Sequence, residues 1–287
     1  MTNKEQKIQT VGVLGCGLMG SGIAQVCAQS GYRTIIREID ENLVKSGLTR
    51  IEQFLEQGVK RGKINPKDRD GVIANLSGTT KIHDLSEADI IVEAIVENLD
   101  VKREVFGAID DIVGDDTLFA SNTSSLCITE IASAIKRPER FLGLHFFSPV
   151  PVMKLVEVIR GLATSDETYK RGFAFAKSLK KDPVTAPDRP GFIVNRLLIP
   201  YLLDAIRAHE SGVGTIEDID KSMTFGCGHP MGPFALLDFI GLDTTYYIAN
   251  IMYEEFHELA YAPPPLLKRM VVAGKLGKKS GQGFYAY

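Results

Sequence analysis

Two sets of residues in this chain have the types and spacing of working groups. The first is Gly15, Gly17 and Gly20, a G-x-G-x-x-G run with Leu18 and Met19 inside it, followed eighteen residues after Gly20 by the carboxylate of Glu38. Glycines so spaced let the backbone turn sharply, bring N–H groups against a pyrophosphate and press helix against strand; an acid some way beyond accepts hydrogen bonds from ribose hydroxyls. The second set is His145, Glu157 twelve residues later, and the small polar cluster Asn122, Thr123, Ser124 and Ser125 upstream. An imidazole can take or give a proton near neutral pH, and a carboxylate beside it can stabilise the imidazolium. A lone histidine among apolar residues is more often a packed core group, but the carboxylate and the Ser/Asn cluster favour chemistry.

The surrounding pattern supplies elements to hold both sets. The apolar run 11–14 predicts a strand entering the glycines, and Ile23, Ala24, Val26 and Cys27 predict a helix leaving them, whose N-terminus adds partial positive charge. Residues 34–36 predict the next strand, ending at Arg37 and Glu38, with Asp40 further into the turn. A G-x-G-x-x-G run alone is a weak pattern; strand, loop, helix, strand and acid together read as a dinucleotide site. Glu38 would repel a 2′-phosphate, which favours NAD over NADP, and Arg37 works against that preference.

Residues 41–62 place Leu43, Leu48, Ile51, Phe54, Leu55 and Val59 near one side of a long predicted helix ending in Lys60, Arg61 and Lys63. That basic end either complements the helix dipole or grips phosphates of a large anionic substrate, and the residues alone fit the first reading better. Strands are predicted at 89–94 and 117–121 with a helix between them. The segment 140–147, RFLGLHFF, reads as a strand carrying His145, and 154–159, KLVEVI, as a strand carrying Glu157. A buried unpaired carboxylate costs several kcal/mol, so on an internal strand Glu157 needs a partner, and His145 is the obvious one. A helix near 166–179 and a short strand near 183–186 lead to PDRPG at 187–191, a linker by composition. Beyond it only helical patterns recur, over 192–210, 234–259 and 266–273. The expected architecture is α/β: a Rossmann-type doubly wound, mostly parallel sheet in residues 1–189, followed by an all-helical domain in 190–287.

The 287 residues, 44% of them hydrophobic, can fill a sizeable core, and the net charge of −3 points to neither nucleic acid nor an anionic membrane surface. The opening MTNKEQKIQT has no apolar core of a signal peptide, and no stretch offers eighteen uninterrupted apolar residues. Cys16, Cys27, Cys127 and Cys227 lack metal-ligand spacing. The expectation is a cytoplasmic protein with reduced thiols and no bound metal.

Across almost its whole length the chain resembles the short-chain L-3-hydroxyacyl-CoA dehydrogenases, especially the bacterial 3-hydroxybutyryl-CoA dehydrogenases. The resemblance rests on GCGLMGSGIAQV, VEAIVENLDVK, FASNTSSL, LHFFSPVPVMKLVEVIRG, PGFIVNRLLIP, HPMGPFALLDFIGLD and GKLGKKSGQGFYAY, in the family's order and spacing. It implies NAD as cofactor, a short acyl-CoA as substrate and a homodimer built through the helical domain. It also implies roles: His145 as catalytic base, Glu157 as the carboxylate orienting it, Ser124 near substrate and nicotinamide, Asn195 at the reacting end, and Glu97, Lys102 and Asn122 as cofactor contacts. Three positions depart from the family pattern. Glu38 replaces an aspartate, Ser148 replaces the asparagine of HFFNP that contacts the nicotinamide side, and Phe54 stands where a serine helps hold coenzyme A. With the resemblance counted, Lys60 or Arg61 becomes a phosphate grip. The same residues also admit a dehydrogenase of a free hydroxy acid, separable by its indifference to coenzyme A, and a catalytically idle NAD-binding protein, which the set Ser124, His145, Glu157 and Asn195 weighs against.

Overall fold

The structure, a computed structural model, describes residues 7–287. Eight strands form one sheet: β1 (Thr10–Leu14), β2 (Arg33–Arg37), β3 (Leu76–Thr79), β4 (Ile90–Glu93), β5 (Leu118–Ser121), β6 (Phe141–Phe146), β7 (Leu155–Arg160) and β8 (Asp182–Pro187). Their order is β3-β2-β1-β4-β5-β6-β7-β8, with the first six parallel, β7 antiparallel to β6, and β8 parallel to β7. Strands β1, β4, β5 and β6 are buried at every position, as continuous apolar strands covered on both faces must be. The order reverses between β1 and β4, the switch point at which such sheets receive ligands beyond their carboxyl ends.

Six helices connect these strands: α1 (Leu18–Gln29), α2 (Glu41–Lys60), α3 (Pro66–Ala74), α4 (Leu99–Asp110), α5 (Ile128–Ala132) and α6 (Asp166–Ser178). Local side chains start most of them. Asp40 Oδ1 accepts from the Asn42 and Leu43 N–H groups, and Asn65, Asn98 and Ser165 cap α3, α4 and α6 in the same way. Asp40 is therefore engaged by its own helix. The sequence reading passed over α3 and β3. The first is nine residues announced only by Asn65-Pro66, and the second, LSGT, is an edge strand with almost no apolar content.

Asp188 closes this unit, and its carboxylate is anything but a slack linker. Its oxygens accept from Ile128 N–H (2.8 Å), Thr129 N–H (2.8 Å) and the Thr129 hydroxyl (2.6 Å), capping the short α5 that follows the Ser124 loop.

Residues 189–287 form a second compact unit. It consists of α7 (Val194–Glu210), α8 (Ile216–Lys221), α9 (Pro233–Ile240), α10 (Leu242–Phe256) and α11 (Pro265–Val272), with shorter turns between them. The helical pattern over 234–259 is two helices, because Gly241 sits at φ +104°, a conformation no helix propagates. Leu202, Leu203, Ile206, Phe234, Leu237 and Met252 form its core. The carboxylate of Asp238 ties the chain end to that core by accepting from Phe284 N–H (2.9 Å) and Tyr285 N–H (2.8 Å). Among the described residues, no helix is long and apolar enough to cross a membrane.

Candidate active site

The glycine loop leaves β1 at the switch point. Gly15 adopts φ +92° while its N–H donates to Arg37 O, so the loop is stitched to the end of β2. A Cβ on Gly20 would fall 2.0 Å from Gly15 O, which forbids any side chain there, whereas nothing lies within 4 Å of a Cβ position on Gly17. Gly17 is the N-cap of α1, and no side chain satisfies the first N–H groups of that helix, those of Leu18 and Met19 included. Open space, unclaimed N–H donors and the helix dipole meet at one point, and together they suit a pyrophosphate. Glu38 stands beside it: Oε1 accepts from Cys16 N–H at 2.6 Å and Oε2 from Ile39 N–H at 3.1 Å. Each oxygen has a second lone pair for ribose hydroxyls. The residues present thus fit NAD.

Two consequences can be measured. Gly20→Ala must push the loop away from α1, and we expect the NADH dissociation constant, read by fluorescence titration, to rise about tenfold or more, equivalent to ~1.4 kcal/mol. The buried thiol of Cys16 is pushed up to about 11, first by burial and then by the charge of Glu38. Because only the thiolate reacts, alkylation of Cys16 by iodoacetamide should be negligible at pH 8 and rise about tenfold per pH unit toward pH 10. Exposed Cys227 should label throughout, as peptide mass spectrometry would show.

The ends of the next strands carry a charged network. Glu93, the last residue of β4, is fully buried; its carboxylate accepts from Ser121 Oγ (2.6 Å), Ile95 N–H (2.7 Å) and Lys102 Nζ (2.5 Å). Lys102, almost fully buried on α4, also pairs with Glu97 at 3.0 Å. Glu97 in turn accepts from the Thr123 hydroxyl and from Ser124 N–H (3.1 Å). An ammonium between two carboxylates is how a buried charge is tolerated, and here it fixes the backbone of Ser124. Sequence reasoning singled out Glu97, Lys102 and Ser124 but missed Glu93. Its signal was a carboxylate closing a wholly apolar strand.

On β6 and β7 the antiparallel register sets His145 directly opposite Glu157. Nδ1 of His145 lies 2.7 Å from Glu157 Oε2, Nε2 lies 3.1 Å from Ser124 Oγ, and Glu157 is 0% exposed. An ionised carboxylate can only accept, so the hydrogen-bond network assigns the ring proton to Nδ1 and leaves the Nε2 lone pair facing Ser124. Phe147 packs its ring 4.5 Å from the imidazole, centroid to centroid. Where backbone pairing between β5 and β6 stops, Asn122 extends it: its Oδ1 accepts from Phe146 N–H at 2.8 Å.

The glycine loop, Glu97, Ser124 and His145 therefore belong to neighbouring strands β1, β4, β5 and β6, at or near their carboxyl ends. Three strand spacings of ~4.8 Å put about 14 Å between the β1 and β6 positions, within reach of an extended dinucleotide. The remaining expected site residues sit on other segments of the chain. Ser148 is exposed just past β6, joined to Pro149 by a cis peptide bond. Lys60 and Arg61 are exposed at the end of α2, and Arg50 of that helix donates to Cys16 O in the glycine loop. Ten residues of helix carry Lys60 about 15 Å beyond that contact. Asn195 is half-buried in the first turn of α7, in the second unit.

Models of known protein families match both units of the chain. Residues 10–189 match the model of the 3-hydroxyacyl-CoA dehydrogenase NAD-binding domain, and residues 191–287 match that of the 3-hydroxyacyl-CoA dehydrogenase C-terminal domain. The chain is 51% identical over 282 residues to a 3-hydroxybutyryl-CoA dehydrogenase of Mycobacterium tuberculosis, covering 98% of this chain and 99% of that protein. It is 45% identical over 290 residues to the human mitochondrial hydroxyacyl-coenzyme A dehydrogenase, covering 98% of this chain and 91% of that one. The crystal structure of (S)-3-hydroxybutyryl-CoA dehydrogenase from Ralstonia eutropha superposes with a TM-score of 0.94 at 44% identity, covering 98% of this chain and 99% of that chain. On fold, glycine loop and these matches, the chain belongs to the 3-hydroxyacyl-CoA dehydrogenase family and is an NAD-dependent enzyme.

Proposed function

We propose that the protein interconverts a short-chain (S)-3-hydroxyacyl-CoA and the matching 3-oxoacyl-CoA, acetoacetyl-CoA and 3-hydroxybutyryl-CoA being the C4 pair. The observation that carries this reading is the line Ser124–His145–Glu157, an imidazole held at one nitrogen and presented at the other. In the oxidation direction Nε2 of His145 takes the proton of the substrate hydroxyl, and Glu157 stabilises the resulting imidazolium. In reduction the same nitrogen returns the proton. When bound, NAD accepts or gives the hydride.

Ser124 Oγ donates a hydrogen bond to the reacting oxygen, and Asn195 supplies an amide to the polarised carbonyls of the thioester, both without covalent chemistry. Glu93, Lys102 and Glu97 hold Ser124 in place. Gly15, Gly17, Leu18, Met19 and Gly20 receive the pyrophosphate, Glu38 the ribose, and Asn122 and Ser148 flank the nicotinamide. Lys60 and Arg61, exposed and cationic, meet the phosphates of coenzyme A. Residues 1–189 serve as the NAD domain, and 190–287 as the substrate and dimerisation domain. Exposed Leu197, Val213, Phe225 and Leu259 in that second unit support self-association into a homodimer. The four free cysteines suit a reducing cytoplasm.

The deciding assay follows reduced-nicotinamide absorbance with acetoacetyl-CoA, using NADH and NADPH in parallel and free acetoacetate as control. The proposal expects rapid NADH consumption that requires the thioester. Equal rates with free acetoacetate would make the enzyme a hydroxy-acid dehydrogenase instead, and consumption of NADPH alone would mean that Arg37 outweighs Glu38.

A further inference from the structure

Beside the C-terminus of α1, a cavity of about 960 Å³ opens between α1, α3 and the segments leading into β7 and β8. Its charged lining consists of Lys63, Lys67, Lys154, Lys180 and Lys181 against a single carboxylate, Asp68. The excess is local, since the whole chain carries −3. Four of these lysines are exposed and free to turn toward an anion. The fifth is fixed. Lys181 is only 7% exposed, and its ammonium donates to two neutral acceptors, Val150 O and Met153 O. Among the described residues no carboxylate pairs with it, and burial pushes its pKa down, the mark of a cation short of counter-charge. An anion in the adjoining cavity would supply that charge.

We propose that this cavity binds a nucleotide bearing two or more phosphates. Its volume falls in the range of small-molecule sites, and five cations lining it from three segments of the chain match a polyphosphate better than a single anion. The site is distinct from the glycine loop, because the twelve residues of α1 put about 18 Å between the two ends of that helix. It also adjoins the catalytic hairpin. Lys154 directly precedes β7, three residues before Glu157, and the carbonyls gripped by Lys181 belong to the connection between β6 and β7. Free nucleoside triphosphates and the 3′-phospho-ADP end of coenzyme A share the required chemistry, and the experiment separates them.

Protein saturated with NADH, so that the glycine loop is filled, would be titrated calorimetrically with ATP and, in a second arm, with free coenzyme A. The double variants Lys63→Ser/Lys67→Ser and Lys154→Ser/Lys180→Ser would be tested alongside after their melting temperatures are matched to the parent. The expected result is one ATP site whose dissociation constant rises about tenfold or more in each double variant and in raised salt. If coenzyme A does not compete, a free nucleotide is the occupant; if coenzyme A competes for it and weakens in the same variants, the cavity belongs to the substrate's own site and the proposal of a further nucleotide site is overturned. Absence of binding by both ligands, or affinities unchanged in both double variants, would overturn the proposal.

Discussion

Replacing His145 with alanine should lower turnover about 10³-fold in both directions while leaving NADH affinity within about twofold, the loss expected when a positioned general acid/base is removed. The split follows from geometry. His145 sits on β6, three strands from the β1 end where the glycine loop lies. The alanine variant also removes the imidazole hydrogen-bonded to Glu157, a fully buried carboxylate, and so lowers stability. A loss of activity could then reflect unfolding. His145→Gln guards against this, since its amide can still donate to Glu157 but cannot carry a proton through the reaction. Both variants should titrate with NADH, and both should be inactive. Retention of more than about a tenth of the parent rate by either would remove His145 from the proton-transfer step.

The parts of this molecule legible in its sequence are those where one physical demand singled out one arrangement. The run 11–20 was legible as strand, tight turn and helix because an apolar strand enters its glycines, an apolar helix leaves them, and a second strand ending in an acid follows. The contact between His145 and Glu157 was foreseeable for a different reason: a carboxylate inside an apolar strand requires a partner, and a twelve-residue offset suits a hairpin whose strands pair in antiparallel register. What stayed hidden lacked such a demand. β3 is a polar edge strand, so its sequence shows no hydrophobic run. Asp188 lies in a stretch whose prolines and glycine read as linker, and only the folded chain brings it to the N-terminus of α5, sixty residues earlier. Glu93 drew no reading inside the predicted strand 89–94, although it is the buried end of a network that reaches Ser124 through Lys102 and Glu97. The five lysines of the cavity are scattered from residue 63 to residue 181, and the basic run marked in the sequence, Lys60, Arg61 and Lys63, supplies only one of them.

Glu157→Gln should separate orientation from packing. Glutamine keeps the volume and a hydrogen bond to His145 Nδ1, yet it removes the negative charge 2.7 Å from the ring and permits either tautomer. Turnover should fall about 10²-fold, less than for loss of the imidazole itself. Glu157→Asp, which keeps the charge but draws it back by a methylene, separates the two roles: it should recover about tenfold or more of the rate that Glu157→Gln loses, in proteins of matched melting temperature. If instead Glu157→Asp is as slow as Glu157→Gln, the carboxylate serves to hold β6 against β7, and the charge on it has no part in the proton transfer.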